Sequence, residues 1–306
     1  MDIVRVHAPA TVSNVVCGFD CLGFALERPF DEIAVRRIPD PEIRIIHHDD
    51  FDLPTDPTKN VAGVALRSML DSIDADFGLE VEITKNIKPG SGIGSSSASS
   101  CGAVVAADRL LGTGFSNLQL ADFAMNGEMV ASGARHADNV APCIFGGFTL
   151  VRSADPLDIV ELAFPPLFAA VIHPQIEIKT SEARAILPAD VPLSAAIKQW
   201  SNLGSLVAAL AKSDLLLLAR SLEDGIVEPV RKQLIPRFDE LKEASMAAGS
   251  LGGGISGSGP SVFMLAETER NARHIAEAMT GVYADSGVDF NVHVSPIAGE
   301  GVRIVE

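Results

Sequence analysis

The stretch that decides the fold is Gly90-Ser91-Gly92-Ile93-Gly94-Ser95-Ser96-Ser97-Ala98-Ser99-Ser100, which continues as an Ala/Val-rich helical pattern to about Leu111. Alternate glycines let a chain turn its N–H groups toward one point, and the N-terminus of the following helix adds partial positive charge. Such a turn is typical of an anion site, most often for phosphate. For the loop taken alone, a structural turn of small residues is an equally open interpretation.

Two well-known nucleotide motifs do not fit this loop. A Walker A loop needs a lysine directly after its last glycine, and none follows here. A Rossmann fingerprint needs a third glycine where this chain has Ser97, and an acidic residue about twenty positions later at the end of a strand. That later region, 113–116, is expected to be a loop. The sequence therefore predicts either a structural turn or a phosphate loop of another type.

The composition is that of a well-packed acidic protein. The chain has 306 residues and a formal net charge of −16, with 47% hydrophobic and 5% aromatic residues. This length allows two domains with aliphatic cores. The acidic balance argues against a nucleic-acid partner. Since bulk charge repels a nucleotide, any phosphate must be held by local dipoles and a metal ion.

Membrane and disulfide signals are missing from the sequence. No apolar run approaches the roughly 18 residues of a membrane span, and residues 1–15 do not have the pattern of a secretory signal. The four cysteines include no CxxC pair, so reduced thiols are expected rather than a zinc site or a disulfide framework. We therefore expect a cytoplasmic protein with no membrane partner.

Hydrophobic periodicity predicts several elements around the glycine loop. A strand is expected at 3–7, followed by a loop over 8–23. A helix that follows Asn60 and runs to about Ile73 and an alternating strand at 79–84 precede the glycine loop. A capping box at Ser116–Gln119 predicts a further helix to about Ala131. Three prolines break the pattern within 155–166.

We place the domain boundary at those prolines and predict an α+β protein with domains at 1–160 and 161–306. The second half holds another glycine-rich segment, at 252–261, which leads into a short apolar strand.

A few polar residues stand out as candidates for chemistry. Glu128 is the only acid in an otherwise apolar helix end, and because an unpaired carboxylate is costly to bury, it is either solvent-facing or held for a partner. With a phosphate loop elsewhere in the domain, a Mg²⁺ ligand is a natural role. Asp20 lies in a loop of small residues, and His136, Asp138 and Asn139 cluster in another, although turns use such residues routinely.

Together these segments resemble the GHMP small-molecule kinases and, among them, the homoserine kinases. Residues 14–23, ending Gly-Phe-Asp-Cys-Leu-Gly, are similar to an N-terminal signature of that group, and residues 90–100 to the family's phosphate loop. Residues 252–261 are similar to the family's third motif. Residues 136–142, followed by Gly146-Gly147, are similar to a segment that separates homoserine kinases from their relatives. The likeness spans nearly the whole chain.

The resemblance implies a ribosomal-protein-S5-like N-terminal domain and a ferredoxin-like C-terminal domain with the active site between them. It implies ATP and Mg²⁺ as cofactors and transfer of the γ-phosphoryl group to the hydroxyl of L-homoserine, a step toward threonine. A homodimer is expected. The alternatives are a kinase of the same family for another small alcohol, such as mevalonate or a sugar, and a non-catalytic sensor of an amino acid or nucleotide.

The resemblance also implies roles for individual residues. The phosphate-binding positions are Ser91, Gly92, Ile93, Gly94, Ser95, Ser96 and Ser97. Ser96 and Glu128 match the Mg²⁺ ligands, and Asn60 and Lys85 match positions near the adenine. The positions that hold homoserine are Asn14, Asp20, His136, Arg184 and Arg231.

The expected catalytic positions are Asn139 and Thr180. Thr180 matches a residue near the reacting phosphate, and Asn139 stands where related kinases have a catalytic aspartate. The resemblance therefore implies no dedicated general base, which phosphoryl transfer tolerates. The chain departs from the family at Val16-Cys17, in place of the common Gly-Pro, and at Pro89, Ser97 and Ala137. We expect these changes to alter loop shape near the site.

Overall fold

The computed structural model describes residues 2–305 and contains two β-sheets with helices packed on them. The strands are β1 (Val4–Val15), β2 (Gly18–Ile38), β3 (Ile43–His47), β4 (Gly78–Thr84), β5 (Phe148–Ala154), β6 (Leu157–Leu162), β7 (Phe168–Pro174), β8 (Gly252–Ile255), β9 (Val262–Ala266), β10 (Phe290–Pro296) and β11 (Arg303–Ile304). The first sheet has the order β11-β1-β2-β4-β3, and β5 pairs with β2 and β6. The second has the order β10-β7-β9-β8.

The helices fall into two groups along the chain. They are α1 (Val61–Asp71), α2 (Ser95–Leu111), α3 (Asn117–Ser132), α4 (Val140–Phe145), α5 (Thr180–Ala185), α6 (Leu193–Lys212), α7 (Leu215–Ser221), α8 (Glu228–Arg231), α9 (Phe238–Ala247) and α10 (Glu269–Tyr283). Helices α1 to α4 pack with the first sheet, and α10 covers the second. None of the helices in residues 2–305 combines the length and apolarity that crossing a membrane requires.

Local sequence signals set where these helices begin. The Asn60 side chain accepts hydrogen bonds from the N–H groups of Ala62 and Gly63 and caps α1. Ser116 and Gln119 form a reciprocal capping box at the start of α3. Both predicted helix starts are confirmed.

Helix α2 is the central element of the first domain and is buried over most of its length. Its Ala, Ser and Gly side chains let it lie close to β1 and β2. A Cβ atom at Gly102 would be only 2.5 Å from Ile33 Cδ1. The small-residue composition that follows the glycine loop is therefore a packing requirement as well as a helix signal.

The second glycine-rich segment joins the two halves of the molecule. The Ser256 hydroxyl donates to the Gly92 carbonyl at 2.7 Å, and the Ser261 hydroxyl donates to the Ser91 carbonyl at 2.6 Å. The Gly257 N–H donates to the Ser13 carbonyl at 3.0 Å. The phosphate loop is thus bonded directly to the second domain.

Two expectations about chain organisation differ from the structure. Residues 8–23, expected as a loop, lie mostly in β1 and β2, which pair along much of their length. The expected boundary between 160 and 161 falls inside β6, a strand of the first sheet, and β11 returns to pair with β1. We propose to place the division after β6, with the last strand assigned to the first domain.

Candidate active site

A cavity of about 460 Å³ lies between the phosphate loop and the second domain. Most of the residues expected at the site line it. They are Asn14, Asp20, Asn60, Lys85, Gly92, Gly94, Ser95, Ser96, Glu128, His136, Asn139, Thr180, Arg184 and Arg231. The structure therefore brings together side chains that are up to 217 positions apart in the chain, the distance from Asn14 to Arg231.

The phosphate loop needs glycine for two separate reasons. Gly90, Gly92 and Gly94 have φ values of 74°, 80° and 71°, a region that residues with side chains rarely adopt. A Cβ atom at Gly92 would lie 2.5 Å from the Gly259 carbonyl oxygen, and one at Gly94 would lie 2.0 Å from Thr11 Oγ1. The loop ends at the N-terminus of α2, where unpaired N–H groups suit phosphate.

Three residues assigned to phosphate binding do not line the cavity. The carbonyl of Ser91 accepts from Ser261, and the carbonyl of Ile93 accepts from the Thr11 N–H at 3.1 Å. Ser97 is fully buried. Their side chains face the protein interior, so any contact with phosphate would come from the backbone. Their assignment stays a prediction.

Ser96 and Glu128 form a pair of hard oxygen donors at the edge of the loop. The Ser96 hydroxyl donates to Glu128 Oε2 at 2.9 Å, and the Ser100 hydroxyl reaches Glu128 Oε1 at 3.5 Å. Burial raises the pKa of Glu128 to about 7, while the Ser96 hydrogen bond opposes that shift. Within the described residues no cluster of three or more His, Cys, Asp or Glu side chains could hold a metal. The donor pair fits Mg²⁺, which takes few protein ligands and fills its shell with water and substrate phosphates.

Lys85 and Asn60 make internal contacts in the cavity wall. Lys85 Nζ donates to the Asp31 carboxylate, to the Ser95 carbonyl at 2.6 Å and to the Ser99 hydroxyl at 2.9 Å. These contacts account for all three protons of an ammonium group. Asn60, besides capping α1, donates to the Pro54 carbonyl at 2.7 Å. Both side chains thus shape the loop and the adjoining wall, and their expected place beside adenine stays a prediction.

The opposite half of the cavity contains an ion pair between the two domains. Arg184 Nη1 and Nη2 donate to the two Asp20 oxygens at 3.0 and 2.8 Å, and this bonding raises the pKa of Arg184. The Asp20 N–H donates to Asn14 Oδ1 at 2.7 Å. Asn14, Val16 and Asp20 have positive φ values of 55°, 49° and 57°. Backbone strain of this kind concentrates at functional sites, and one of these positions is Val16, where the resemblance implies a glycine.

Arg231 is the buried cation of the site, with 2% of its surface exposed. Its Nε donates to the Ala183 carbonyl at 3.0 Å and its Nη1 to the Gly257 carbonyl at 3.1 Å. Among the described residues it forms no ion pair with an acidic side chain, whereas Arg184 does. Burial lowers the pKa of Arg231, and the charge of Arg184 lowers it further. A guanidinium placed in this way is ready for an external carboxylate.

A hydrogen-bonded network holds Asn139 at the centre of the cavity. The Thr11 hydroxyl donates to Asn139 Oδ1 at 2.7 Å, and Asn139 Nδ2 donates to Ser13 Oγ at 2.8 Å. Neighbouring Asp138 is buried, and burial together with the charge of Asp20 raises its pKa. An amide held by two hydroxyls can orient a substrate but cannot act as a base at neutral pH.

The remaining two expected residues lie at the rim of the cavity. His136 Nε2 lies 3.5 Å from Arg184 Nη2, and the Thr180 hydroxyl lies 3.3 Å from the Ser258 hydroxyl. Thr180 begins α5, so it faces the third glycine motif across the opening.

The sequence analysis missed several residues that build this site. Thr11 and Ser13 hold Asn139, Asp31 pairs with Lys85, and Ser256 and Ser261 bind the phosphate loop. The period-2 alternation of a strand was the available signal for Thr11 and Ser13, but the small residues around them masked it.

Comparisons with known proteins agree with this geometry. The family model for the GHMP kinases N terminal domain matches residues 60–147, and the model for the GHMP kinases C terminal matches 206–285. The homoserine kinase of Chloroherpeton thalassium is 43% identical over 319 residues, covering 100% of both chains. The chain belongs to the homoserine kinases of the GHMP family.

Further relatives support this membership. The crystal structure of homoserine kinase from Cytophaga hutchinsonii has a TM-score of 0.96 and 46% identity, covering 100% of this chain and 98% of that one. The homoserine kinase of Pyrococcus abyssi is 38% identical over 93% of this chain and 94% of its own length. Mevalonate kinase of L. major, at 16% identity and a TM-score of 0.74, shares the fold. The predicted α+β kinase fold is confirmed.

Proposed function

We propose that this protein is an ATP-dependent homoserine kinase, which transfers the γ-phosphoryl group of ATP to the side-chain hydroxyl of L-homoserine. The observation that carries the proposal is the cavity itself, which has the glycine-rich loop on one wall and on the other the buried Arg231, for which the described residues supply no acidic partner. The relatives described above that exceed 30% identity over nearly their full length are homoserine kinases.

The substrate half suits a zwitterionic amino acid. Arg231 would bind the carboxylate, because a buried cation without an acidic partner gains most from an anion. Arg184 would share that carboxylate, and Asp20, which the structure shows bonded to Arg184, would bind the ammonium group. Arg184 would exchange Asp20 for the substrate carboxylate, and Asp20 would exchange Arg184 for the ammonium group, so every charge stays paired. Mevalonate and galactose have no ammonium group, so the Asp20 carboxylate is the feature that disfavours them.

The transfer itself would depend on positioning and charge. The loop N–H groups and the start of α2 would hold the phosphates, and Asn139 would orient the attacking hydroxyl without removing its proton. Mg²⁺ held by Ser96 and Glu128 would neutralise charge on the triphosphate. A loose transition state with little bond formation needs no strong base, so this arrangement is sufficient.

The test is an ADP-release assay with Mg·ATP and a panel of L-homoserine, mevalonate, L-serine and galactose. We expect turnover with L-homoserine and little with the others. The control is the Glu128→Gln variant purified in parallel, which excludes a contaminating kinase. Absence of homoserine-dependent ADP release would contradict the proposal. Homoserine binding without ADP release would favour the sensor alternative.

Two further expectations remain proposals. All four cysteines are free thiols, which suits the reducing cytoplasm where ATP-dependent biosynthesis runs. A homodimer is the commonest assembly for an enzyme of this kind, and light scattering after gel filtration measures it directly.

A further inference from the structure

One aromatic ring lies beside both guanidinium groups of the substrate half. The Arg231 Cζ atom is 4.9 Å from the centroid of the Phe19 ring, and the Arg184 Cζ atom is 5.5 Å from it. Phe19 is half-buried near the start of β2, directly before Asp20. We propose that Phe19 is a positioning residue, which holds the two arginines for the substrate carboxylate and so favours amino-acid substrates. The inference rests on the proposed homoserine kinase function.

The burial of Arg231 explains why a ring is needed there. A buried cation is costly unless its charge is compensated, and two carbonyl hydrogen bonds leave most of the five guanidinium protons without a protein acceptor in the described contacts. The face of an aromatic ring attracts a cation, and this attraction is strongest where water is excluded. Phe19 therefore stabilises a charged Arg231 without supplying a carboxylate that would compete with the substrate.

The neighbourhood holds the ring in place. A void of only about 10 Å³ lies beside it, lined in part by Val16, Asp224 and Ile255. That is about the space of one water molecule, so the ring has little room to move on that side, while the rest of it is partly exposed. The backbone after the ring is fixed as well, because the Asp20 N–H donates to Asn14 Oδ1.

The same ring also couples the two arginines. Arg184 is held on its other side by Asp20, and its charge lowers the pKa of Arg231. Two like charges beside one ring repel each other, and the attraction of the ring for both offsets part of that repulsion. The expected consequence is specific: Phe19 affects substrates that present a carboxylate and leaves other substrates unaffected.

The test compares two substrates in the wild type and in two variants. Phe19→Leu keeps an apolar side chain but removes the ring face, and Phe19→Tyr keeps the ring as a matched control. L-homoserine is compared with 3-aminopropan-1-ol, which has the same hydroxyl and amine but lacks the carboxylate. If turnover of the second compound is too slow to measure, its inhibition constant against homoserine replaces kcat/KM.

For Phe19→Leu we expect the KM for L-homoserine to rise roughly tenfold, with kcat and the KM for Mg·ATP nearly unchanged. Phe19→Tyr should stay close to wild type, and 3-aminopropan-1-ol should not distinguish the three proteins. An unchanged homoserine KM, or an equal loss for both substrates, would overturn the inference. If Phe19→Leu does not fold, Phe19→Met serves for the same comparison. Failure of the wild type to phosphorylate homoserine would instead remove the proposed function.

Discussion

The sharpest prediction concerns the phosphate loop, where two glycines with similar backbones differ in their surroundings. Gly94 has φ 71°, and a Cβ atom there would lie 2.0 Å from Thr11 Oγ1 and 3.1 Å from Asn139 Oδ1. Gly90 has φ 74°, and a Cβ atom there would meet nothing within 4 Å. Gly90→Ala is therefore a matched control for Gly94→Ala, since both carry the same backbone cost.

The expected loss of folding stability follows from these contacts. The left-handed conformation costs an alanine about 1–2 kcal/mol at either position. Only Gly94→Ala also requires the Thr11 hydroxyl to retreat by 1.4 Å, the difference between 2.0 Å and the 3.4 Å of an ordinary contact. Overpacking of this kind adds about 1–3 kcal/mol, and loss of the 2.7 Å bond to Asn139 adds about 1 kcal/mol. We expect about 3–6 kcal/mol of destabilisation for Gly94→Ala.

Two measurements check the prediction. Urea denaturation gives the free energy of unfolding, and kcat/KM for Mg·ATP at saturating homoserine reports the loop geometry. Displacing Thr11 also displaces Asn139, so Gly94→Ala should lose roughly a hundredfold in kcat/KM. Gly90→Ala should lose far less. If the two variants are equally stable and equally active, the inference that Gly94 packs too closely against Thr11 for a side chain is refuted.

Three further predictions concern charge at the site. Glu128→Gln should abolish most turnover even at high Mg²⁺, and a wild-type Mg²⁺ titration curve would refute its role as a ligand. Arg184→Leu should mainly raise the KM for homoserine, so a fall in kcat alone would contradict the carboxylate assignment. The folded-state pKa of Glu128 is about 7, above its ordinary 4.5. Its contribution to the stability of the ligand-free protein is therefore complete below pH 4.5 and lost as pH rises through 7, by about 3 kcal/mol. Denaturation across that range should show a steeper fall in stability for wild type than for Glu128→Gln, and equal slopes would contradict the prediction.

Features set by neighbouring residues were predictable from the sequence. The glycine loop, the Asn60 cap of α1 and the capping box of α3 depend on contacts a few positions apart, and the structure contains all three. The segment 8–23 depends instead on packing. Its small residues are typical of turns, but here the pairing of β1 with β2 and the close approach of α2 require them. Such long-range pairing overrides local propensity.

The candidate site, like the fold, was predictable where the signal is local in the sequence and not where it depends on long-range contacts. Many of the residues that line the cavity lie in the quoted motifs, but several of their partners do not. Lys85 is paired with Asp31, which is 54 positions away, and Asn139 is held by Thr11, which is 128 positions away. Neither separation leaves a sequence pattern. A lysine expected beside the nucleotide is consequently engaged with the protein itself, and only the folded chain shows this.

These pairings explain how a protein of net charge −16 can hold two anions side by side. Because Asp31 neutralises Lys85, the phosphate half presents backbone N–H groups and a helix end rather than a free lysine charge. The full positive charge of the site is kept in the other half, where Arg231 forms no ion pair among the described residues. A phosphate group that strayed into that half would compete with the substrate carboxylate for the same cation. Under the proposed function, dipoles for phosphate and guanidinium for carboxylate would separate the two anions, and this division would place the hydroxyl of homoserine, rather than its carboxylate, toward the γ-phosphate.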